Sequence, residues 1–343
     1  MNKQVDHLTI HDIAQRAKVS ARTVSRVLNG NGYVSKTVRE RVLQEIRQAR
    51  YRPSHAARWL RTGRSQEVCA VIKVRPGDMA MEELAAAEKE LRQAGYWLST
   101  LQVDGHDAAM VSVAADLATR RPAALITVYS RNILRFQQIF GCHLREQPHV
   151  MIDLRDPRSP LDGVVIDRHS GIRDAIHYLR DRGCRRIAYL GLPSDPSRVD
   201  GYRSAVAELG QKPIMLPFRD ISPADPDLPA NRFESGRQAA AAVLAANPRP
   251  DAIQAFSDEV ALGLIAGLHA LGRRVPRDLR LVGFDNRQAA AWCTPALTTV
   301  AQPVREIGVA AARILLQRLE PEKAPARPRH VTLPTRLVVR ESA

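Results

Sequence analysis

The sequence predicts an N-terminal all-α unit of helix-turn-helix plan with a hinge helix behind it. An α/β core of two doubly wound parallel-sheet subdomains follows. Three observations predict this. The formal charge of +15 is concentrated at the start: residues 1–66 hold fourteen Lys/Arg against four Asp/Glu, and residues 67–343 hold thirty-seven against thirty-two. The same segment contains short amphipathic stretches introduced by capping residues. From Val68 onward, apolar runs alternate with amphipathic stretches, the pattern of parallel strands joined by helices. A chain of 343 residues is also too long for one ordinary core.

Composition narrows the function classes. The four cysteines, Cys69, Cys142, Cys184 and Cys293, are scattered, with no CxxC pair, so no zinc site or disulfide framework is expected. No apolar run reaches the ~18 residues of a membrane span. The opening Met1-Asn-Lys-Gln-Val-Asp lacks the basic-then-apolar pattern of a secretory leader. A cytoplasmic protein is the expectation. The basic N-terminus calls for a polyanion, nucleic acid before membrane; a solvated basic face is the plainer alternative.

The elements follow in order. Thr9-Ile-His-Asp12 reads as a capping box, and Ile10, Ile13, Ala14 and Ala17 form one apolar stripe behind it. Ser20 is a second N-cap, so two short helices meet across a three- to four-residue turn. In the second helix Val24, Val27 and Leu28 share one side, while Arg22, Arg26 and Asn29 share the other. Ser35 is expected to cap a third helix with Val38, Val42, Ile46 and Ala49 inward. The apolar faces close a small core, and the polar face of Ala21–Asn29 can enter a ~12 Å major groove. Arg22 and Arg26 suit bidentate bonds to guanine, Asn29 an adenine or a phosphate, and Ala21 a thymine methyl.

A further short helix is expected between Pro53-Ser54 and Gly63. At about two turns it is marginal alone and needs a partner. Leu60, beside Trp59 and between Arg58 and Arg61, suits a wedge into a minor-groove step.

Leu8-Thr-Ile-His-Asp-Ile-Ala-Gln-Arg-Ala-Lys-Val-Ser-Ala-Arg-Thr-Val-Ser-Arg-Val-Leu-Asn29, with Val34-Ser and Tyr51-Arg-Pro-Ser…Ala57-Arg-Trp-Leu60, resembles the lac repressor (LacI/GalR) family. The resemblance implies a homodimer on a palindromic operator, a periplasmic-binding-protein-like core and a small-molecule effector between its subdomains. It places major-groove contacts at Ala21, Arg22 and Arg26, and a leucine lever at Leu60. The full set of candidate DNA contacts is Thr9, Ser20, Ala21, Arg22, Thr23, Ser25, Arg26 and Asn29, then Ser54, Ala57, Arg58, Leu60 and Arg61. Two departures stand out: Lys18 occupies a turn position that is glycine in several relatives, and Ser54 replaces a frequent asparagine.

In the core, strands are expected at 68–74, 96–103, 123–129, 149–153, 163–166, 186–192, 213–218, 252–257 and 279–285. Helices are expected at 79–94, 107–121, 132–140, 170–182, 199–209, 235–246 and 259–271. The expected domains are 1–52, a hinge at 53–66, and a core at 67–343. The core divides into about 67–166 plus 296–325 and about 167–295 plus 326–343, with crossovers near Ile166, Pro295 and Ala326.

Ligands of such sheets bind beyond the carboxyl ends of the strands. Asp153, Ser257, Asp258 and Asp285 stand at those ends, and Arg198 follows Tyr-Leu-Gly-Leu192. Each carboxylate has a plainer role as turn or cap, Asp258 above all. Arg198-Val-Asp-Gly-Tyr202 resembles the family's Arg-x-x-Gly-aromatic element. Ser257-Asp-Glu-Val-Ala-Leu-Gly263, Val282-Gly-Phe-Asp285, Leu297-Thr-Thr-Val300 and Leu337-Val-Val-Arg-Glu-Ser342 match its later motifs. The mapping implies Asp153, Arg198, Ser257 and Asp285 as effector residues, with Phe233 as a weaker stacking wall. Lys73-Val-Arg-Pro-Gly-Asp-Met79 lacks the aromatic-rich segment of relatives, and Cys184 stands where histidine is usual. Lys73, Arg75, Arg131 and Arg155 would favour an acidic effector, although solvated surface cations are the plainer reading of them.

The leading expectation is therefore a DNA-binding transcriptional regulator, most often a repressor, under control of a sugar or sugar derivative. The alternatives are a solute-binding protein and a purine-type, corepressor-dependent regulator. An enzyme is not expected: no Gly-x-Ser-x-Gly, Walker loop, GxGxxG after a strand or metal-spaced His/Cys set occurs, and no cofactor is implied.

Overall fold

The chain divides into two units, Met1–Gln66 and Glu67–Ala343. The computed structural model describes residues 8–29, 32–49, 51, 65–73, 78–103, 107–128, 139–140, 147–155, 158–193, 195–219, 231–320 and 327–343. The expected hinge helix, with Ser54, Ala57, Arg58, Leu60 and Arg61, lies outside the described residues, as do Arg75 and Arg131.

In the first unit, α1 (Ile10–Arg16) opens with the expected reciprocal cap. The Thr9 hydroxyl accepts from the Asp12 N–H at 3.4 Å, and the Asp12 carboxylate accepts from the Thr9 N–H at 2.6 Å. A turn with Lys18 at φ 49° leads into α2 (Ala21–Asn29), whose start is held by the Thr23 N–H donating to Ser20 Oγ at 3.1 Å. The third helix, α3 (Lys36–Gln48), forms without the expected side-chain cap. Ser35 stands at the N-cap but its hydroxyl makes no capping bond; only its carbonyl is used, accepting from the Arg39 N–H at 2.9 Å. Ile13, Ala17, Val24 and Val42 are fully buried where the three helices meet.

The second unit contains two six-stranded sheets. The first holds β1 (Glu67–Lys73), β2 (Trp97–Val103), β3 (Ala124–Val128), β4 (His149–Ile152), β5 (Asp162–Asp167) and β11 (His330–Pro334), in the order β11-β5-β4-β3-β1-β2, all parallel. The second holds β6 (Ile187–Leu190), β7 (Ile214–Leu216), β8 (Ala252–Ala255), β9 (Arg280–Asp285), β10 (Thr298–Ala301) and β12 (Arg336–Val338), in the order β12-β10-β9-β8-β6-β7. Only β12 runs antiparallel there.

Alternation along the strands explains the double winding. In β1, Val68, Ala70 and Ile72 face a core shared with α4 (Asp78–Gln93) and α11 (Val304–Leu319). Cys69 and Val71 face the opposite core, with α5 (Asp107–Arg120). In the second sheet, Leu190 and Ala255 pack with α8 (Arg232–Ala245) and α9 (Asp258–Ala270). Tyr189 and Phe284 pack with α6 (Arg168–Asp181) and α7 (Pro196–Glu208). The central strands, such as β3, β4, β6 and β8, are thus buried on both faces, which is why they read as continuous apolar runs.

Two expected crossovers need correction. The first lies at Asp167–Arg168, where β5 runs directly into α6. The chain returns at Gln302–Pro303, not near Pro295, because buried β10 pairs with β9 and stays in the second sheet. The last crossover is at Thr335, not near Ala326, because β11 pairs with β5 in the first sheet. Five elements were absent from the expected series: α10 (Gln288–Trp292), α11, β10, β11 and β12.

Candidate functional site

On α2 the two faces separate as their residue types require. Val24 and Val27 are buried, whereas Arg22 and Arg26 are exposed one turn apart. Ala21, Thr23 and Ser25 are partly exposed. Ser20 and Thr23 also bond each other, hydroxyl to hydroxyl, at 2.9 Å. Asn29 ends the helix, and its side chain lies outside the described residues. This narrow cationic ridge on an apolar base presents ten guanidinium N–H donors and no competing carboxylate within α2.

A second polar concentration lies in the larger unit, where strand ends of the two sheets approach. Asp153 directly follows β4 at φ 63°, and Asp285 ends β9 at φ 115°. Left-handed backbone of this kind costs about 1–3 kcal/mol per residue and persists only where surrounding contacts hold it. Here the contacts are ionic. Arg168, the first residue of α6, meets Asp153 at 2.7 Å. Arg155 spans from Asp153 at 3.3 Å to Asp195 at 3.2 Å, so it joins a loop of the first sheet to one of the second. Asp195 caps α7 and takes Arg198 at 2.6 Å. Arg198 reaches Asp285 at 3.7 Å, and Asp285 accepts from Gln302 at 2.6 Å.

Packing fixes Arg198. Its guanidinium lies 4.5 Å from the centroids of both Phe256 and Phe284, a cation–π sandwich. Gly201 in the Arg-x-x-Gly element brings α7 against α6: a Cβ there would meet the His169 carbonyl at 2.9 Å. Tyr202 closes the element, its hydroxyl accepting from the Ile214 N–H at 2.7 Å. The glycine and the aromatic are thus the anchors that hold the arginine in place.

The electrostatics follow from burial and neighbours. Against the cost of burial, the guanidiniums of Arg198 and Arg155 hold the Asp195 carboxyl well below the usual range. Burial lowers Arg168, Asp153 opposes that, and the nearby Arg198 and Arg155 cations add to the lowering. Glu83 of α4 is pushed up to about 8 by burial and by the Asp153 charge, with Arg168 opposing. Asp258 is pushed up to about 7 by burial and by Asp285.

The structure thus brings Asp153, Arg198 and Asp285 into one network. Ser257 caps α9, accepting from the Val260 N–H at 3.4 Å. Asp258 is not the cap or turn residue the plainer reading expected; it holds the Thr299 hydroxyl at 2.5 Å and the Arg287 N–H at 2.7 Å, both far along the chain. Phe233 goes elsewhere: it lines an outer groove of ≈ 820 Å³ with Leu262, Ile265, Trp292 and Pro295. Only its neighbour Arg232 turns toward the cluster, 5.1 Å from the Phe256 ring. Sequence reasoning missed Glu83, Arg168 and Asp195. A signal existed for Glu83, which sits on the inward stripe of α4 with Ala87 and Leu91. Among the described residues, no group of three or more His, Cys, Asp or Glu is arranged to hold a metal, and no helix is long and apolar enough to cross a membrane.

Comparison with known proteins gives this geometry its setting. Residues 9–54 match the model for bacterial regulatory proteins of the lacI family, and residues 176–343 match a periplasmic binding protein-like domain. The chain is 31% identical to the ribose operon repressor of Halalkalibacterium halodurans over 341 residues, 97% of this chain and 96% of that protein. This chain belongs to the LacI family. It is also 30% identical to catabolite control protein A of Priestia megaterium, covering 98% of this chain and 99% of that protein. In fold, this LacI-family chain resembles the lac repressor dimer bound to operator and the anti-inducer ONPF, with a TM-score of 0.83, 24% identity and 98% of each chain covered. Its relatives are regulators.

Proposed function

We propose that this LacI-family chain is a repressor that binds a palindromic operator as a homodimer and answers to a small sugar-like effector held at the Asp153–Arg198–Asp285 network. The exposed Arg22/Arg26 ridge over buried Val24 and Val27 carries the DNA-binding half of this reading. The effector half rests on the ion pairs joining the two sheets, since a ligand that replaces or tightens them changes the relative energies of two subdomain arrangements. Asp153, Arg198, Ser257 and Asp285 are its proposed contacts. Phe233 is not among them; it lines the outer groove with the exposed Trp292. The chain works by binding rather than turnover, in the cytoplasm.

The test is a titration of the intact chain on a palindrome selected from random duplexes. Arg22→Ala is expected to cost about 1–3 kcal/mol and to relax preference at one symmetric base pair. Equal loss on selected and random DNA would make Arg22 a phosphate contact and remove its reading role. Leu60→Ala is expected to reduce the bend of the bound duplex, measured by circular-permutation mobility; an unchanged bend removes the wedge.

A further inference from the structure

We propose that the effector is an anion: a hydroxylated small molecule bearing a carboxylate or a phosphate, received by Arg155, Arg168 and Arg198. This rests on the effector reading above and names the chemistry of that same site.

The hydrogen-bond inventory carries it. A guanidinium has five N–H donors and no acceptor, and a carboxylate accepts only. Three guanidiniums gather around three carboxylates: Asp153 and Asp195 at 2.6–3.3 Å, and Asp285, which Arg198 reaches at 3.7 Å. All three carboxylates are already engaged, Asp285 also by Gln302 at 2.6 Å. Asp153 faces Arg155 and Arg168; Asp195 faces Arg155 and Arg198, and also accepts from Ser197 at 2.8 Å and caps α7. Arg168 and Arg198 retain capacity. Their Nε atoms are buried with no hydrogen-bond partner, and both residues are only 5% exposed. Of the carboxylate oxygens in the network, Asp153 Oδ1 alone stands with them in this, and Arg168 lies 2.7 Å from it. Unpartnered buried donors therefore outnumber unpartnered acceptors here.

A neutral polyol suits such a site badly, because each hydroxyl proton needs an acceptor on the protein. A carboxylate or phosphate suits it well, since it supplies acceptors and charge for charge-assisted, bidentate bonds. Stacking does not compensate: the rings of Phe256 and Phe284 are taken by Arg198, and Phe233 lines the outer groove. Charge points the same way. The nearby Arg155 and Arg198 cations weigh against the charge on Arg168, and an entering anion relieves that repulsion.

Arg155 is the entry point. Its side chain is 32% exposed, and it links loops of both sheets. An anion that takes its Arg155–Asp195 contact leaves Asp195 with Arg198, so no buried charge is stranded.

The experiment is calorimetric titration of the intact protein with two matched series: D-glucose, D-gluconate and D-glucose 6-phosphate, then D-ribose, D-ribonate and D-ribose 5-phosphate. Inorganic phosphate is the control for bare charge. At least one acid or phosphate ester is expected to bind tenfold or more tightly than its neutral parent; which series member wins separates carboxylate from phosphate. Arg155→Gln, at a partly exposed position, is expected to weaken that ligand at least tenfold. Arg155→Lys, which keeps the cation, is expected to recover part of that loss. Equal or tighter binding of the neutral sugar overturns the anion proposal while leaving the effector site in place. Binding that Arg155→Gln leaves untouched, or binding of inorganic phosphate alone, overturns it as well. Absence of binding across both series overturns the proposal, and operator affinity that no member of either series changes would then remove the effector reading too.

Discussion

At the scale of the residue, the chain places ionisable groups where burial alone would neutralise them. Glu83 is 6% exposed and stays protonated up to about pH 8, whereas in the unfolded chain it releases its proton near 4.5. The folded state thus holds a proton the unfolded state has lost, so stability falls as pH rises between these values. Glu83→Gln is expected to stabilise the protein at pH 7.5 and to flatten the decline, by at most about 1.4 kcal/mol per pH unit. Urea midpoints at pH 5.5, 6.5 and 7.5 measure this; an unchanged slope means that Glu83 does not carry the proton. The same burial explains what could be read in advance. Asp153, Arg198 and Asp285 were legible because they sit in recognisable motifs at strand ends. Arg168 and Asp195 were not: a basic residue at a helix start and an aspartate before Pro196 read as ordinary surface and cap. Their roles come from partners far along the chain, Asp153 for one and Arg155 for the other.

At the scale of the element, local chemistry decides how the helices begin and end. The Thr9 and Ser20 caps were readable because capping is a contact three residues away. Lys18 shows the cost of a turn with the wrong residue. At φ 49° its Cβ crowds the backbone, so Lys18→Gly is expected to stabilise the helical unit by a net of about 1 kcal/mol. Hydrogen exchange of the α1 and α2 amides should report it, and exchange as fast as in the parent chain contradicts it. The final strands escaped sequence reading for the opposite reason. Residues 298–301, 330–334 and 336–338 are short; 330–334 pairs with β5 far back in the sequence, and 336–338 runs antiparallel to 298–301 in the other sheet. Their placement depends on pairing rather than periodicity. The domain boundaries moved with them, from Pro295 to Gln302–Pro303 and from Ala326 to Thr335.

At the scale of the whole molecule, charge and linkage dominate. A basic unit that neutralises several phosphates releases counterions, so log affinity for operator should fall linearly with log salt. A slope near zero between 50 and 200 mM salt would exclude phosphate contacts as the source of affinity. Control by an effector demands more than two binding sites. It requires a coupling free energy, and that coupling is reciprocal: the factor by which effector changes operator affinity equals the factor by which operator changes effector affinity. The measurement that bears most directly on the account is operator affinity of the intact protein with and without the saturating sugar acid or sugar phosphate from the matched series. A change of fivefold or more, matched by an equal change in effector affinity on the operator-bound protein, is the predicted result. Operator affinity that stays the same at saturating ligand would contradict the account.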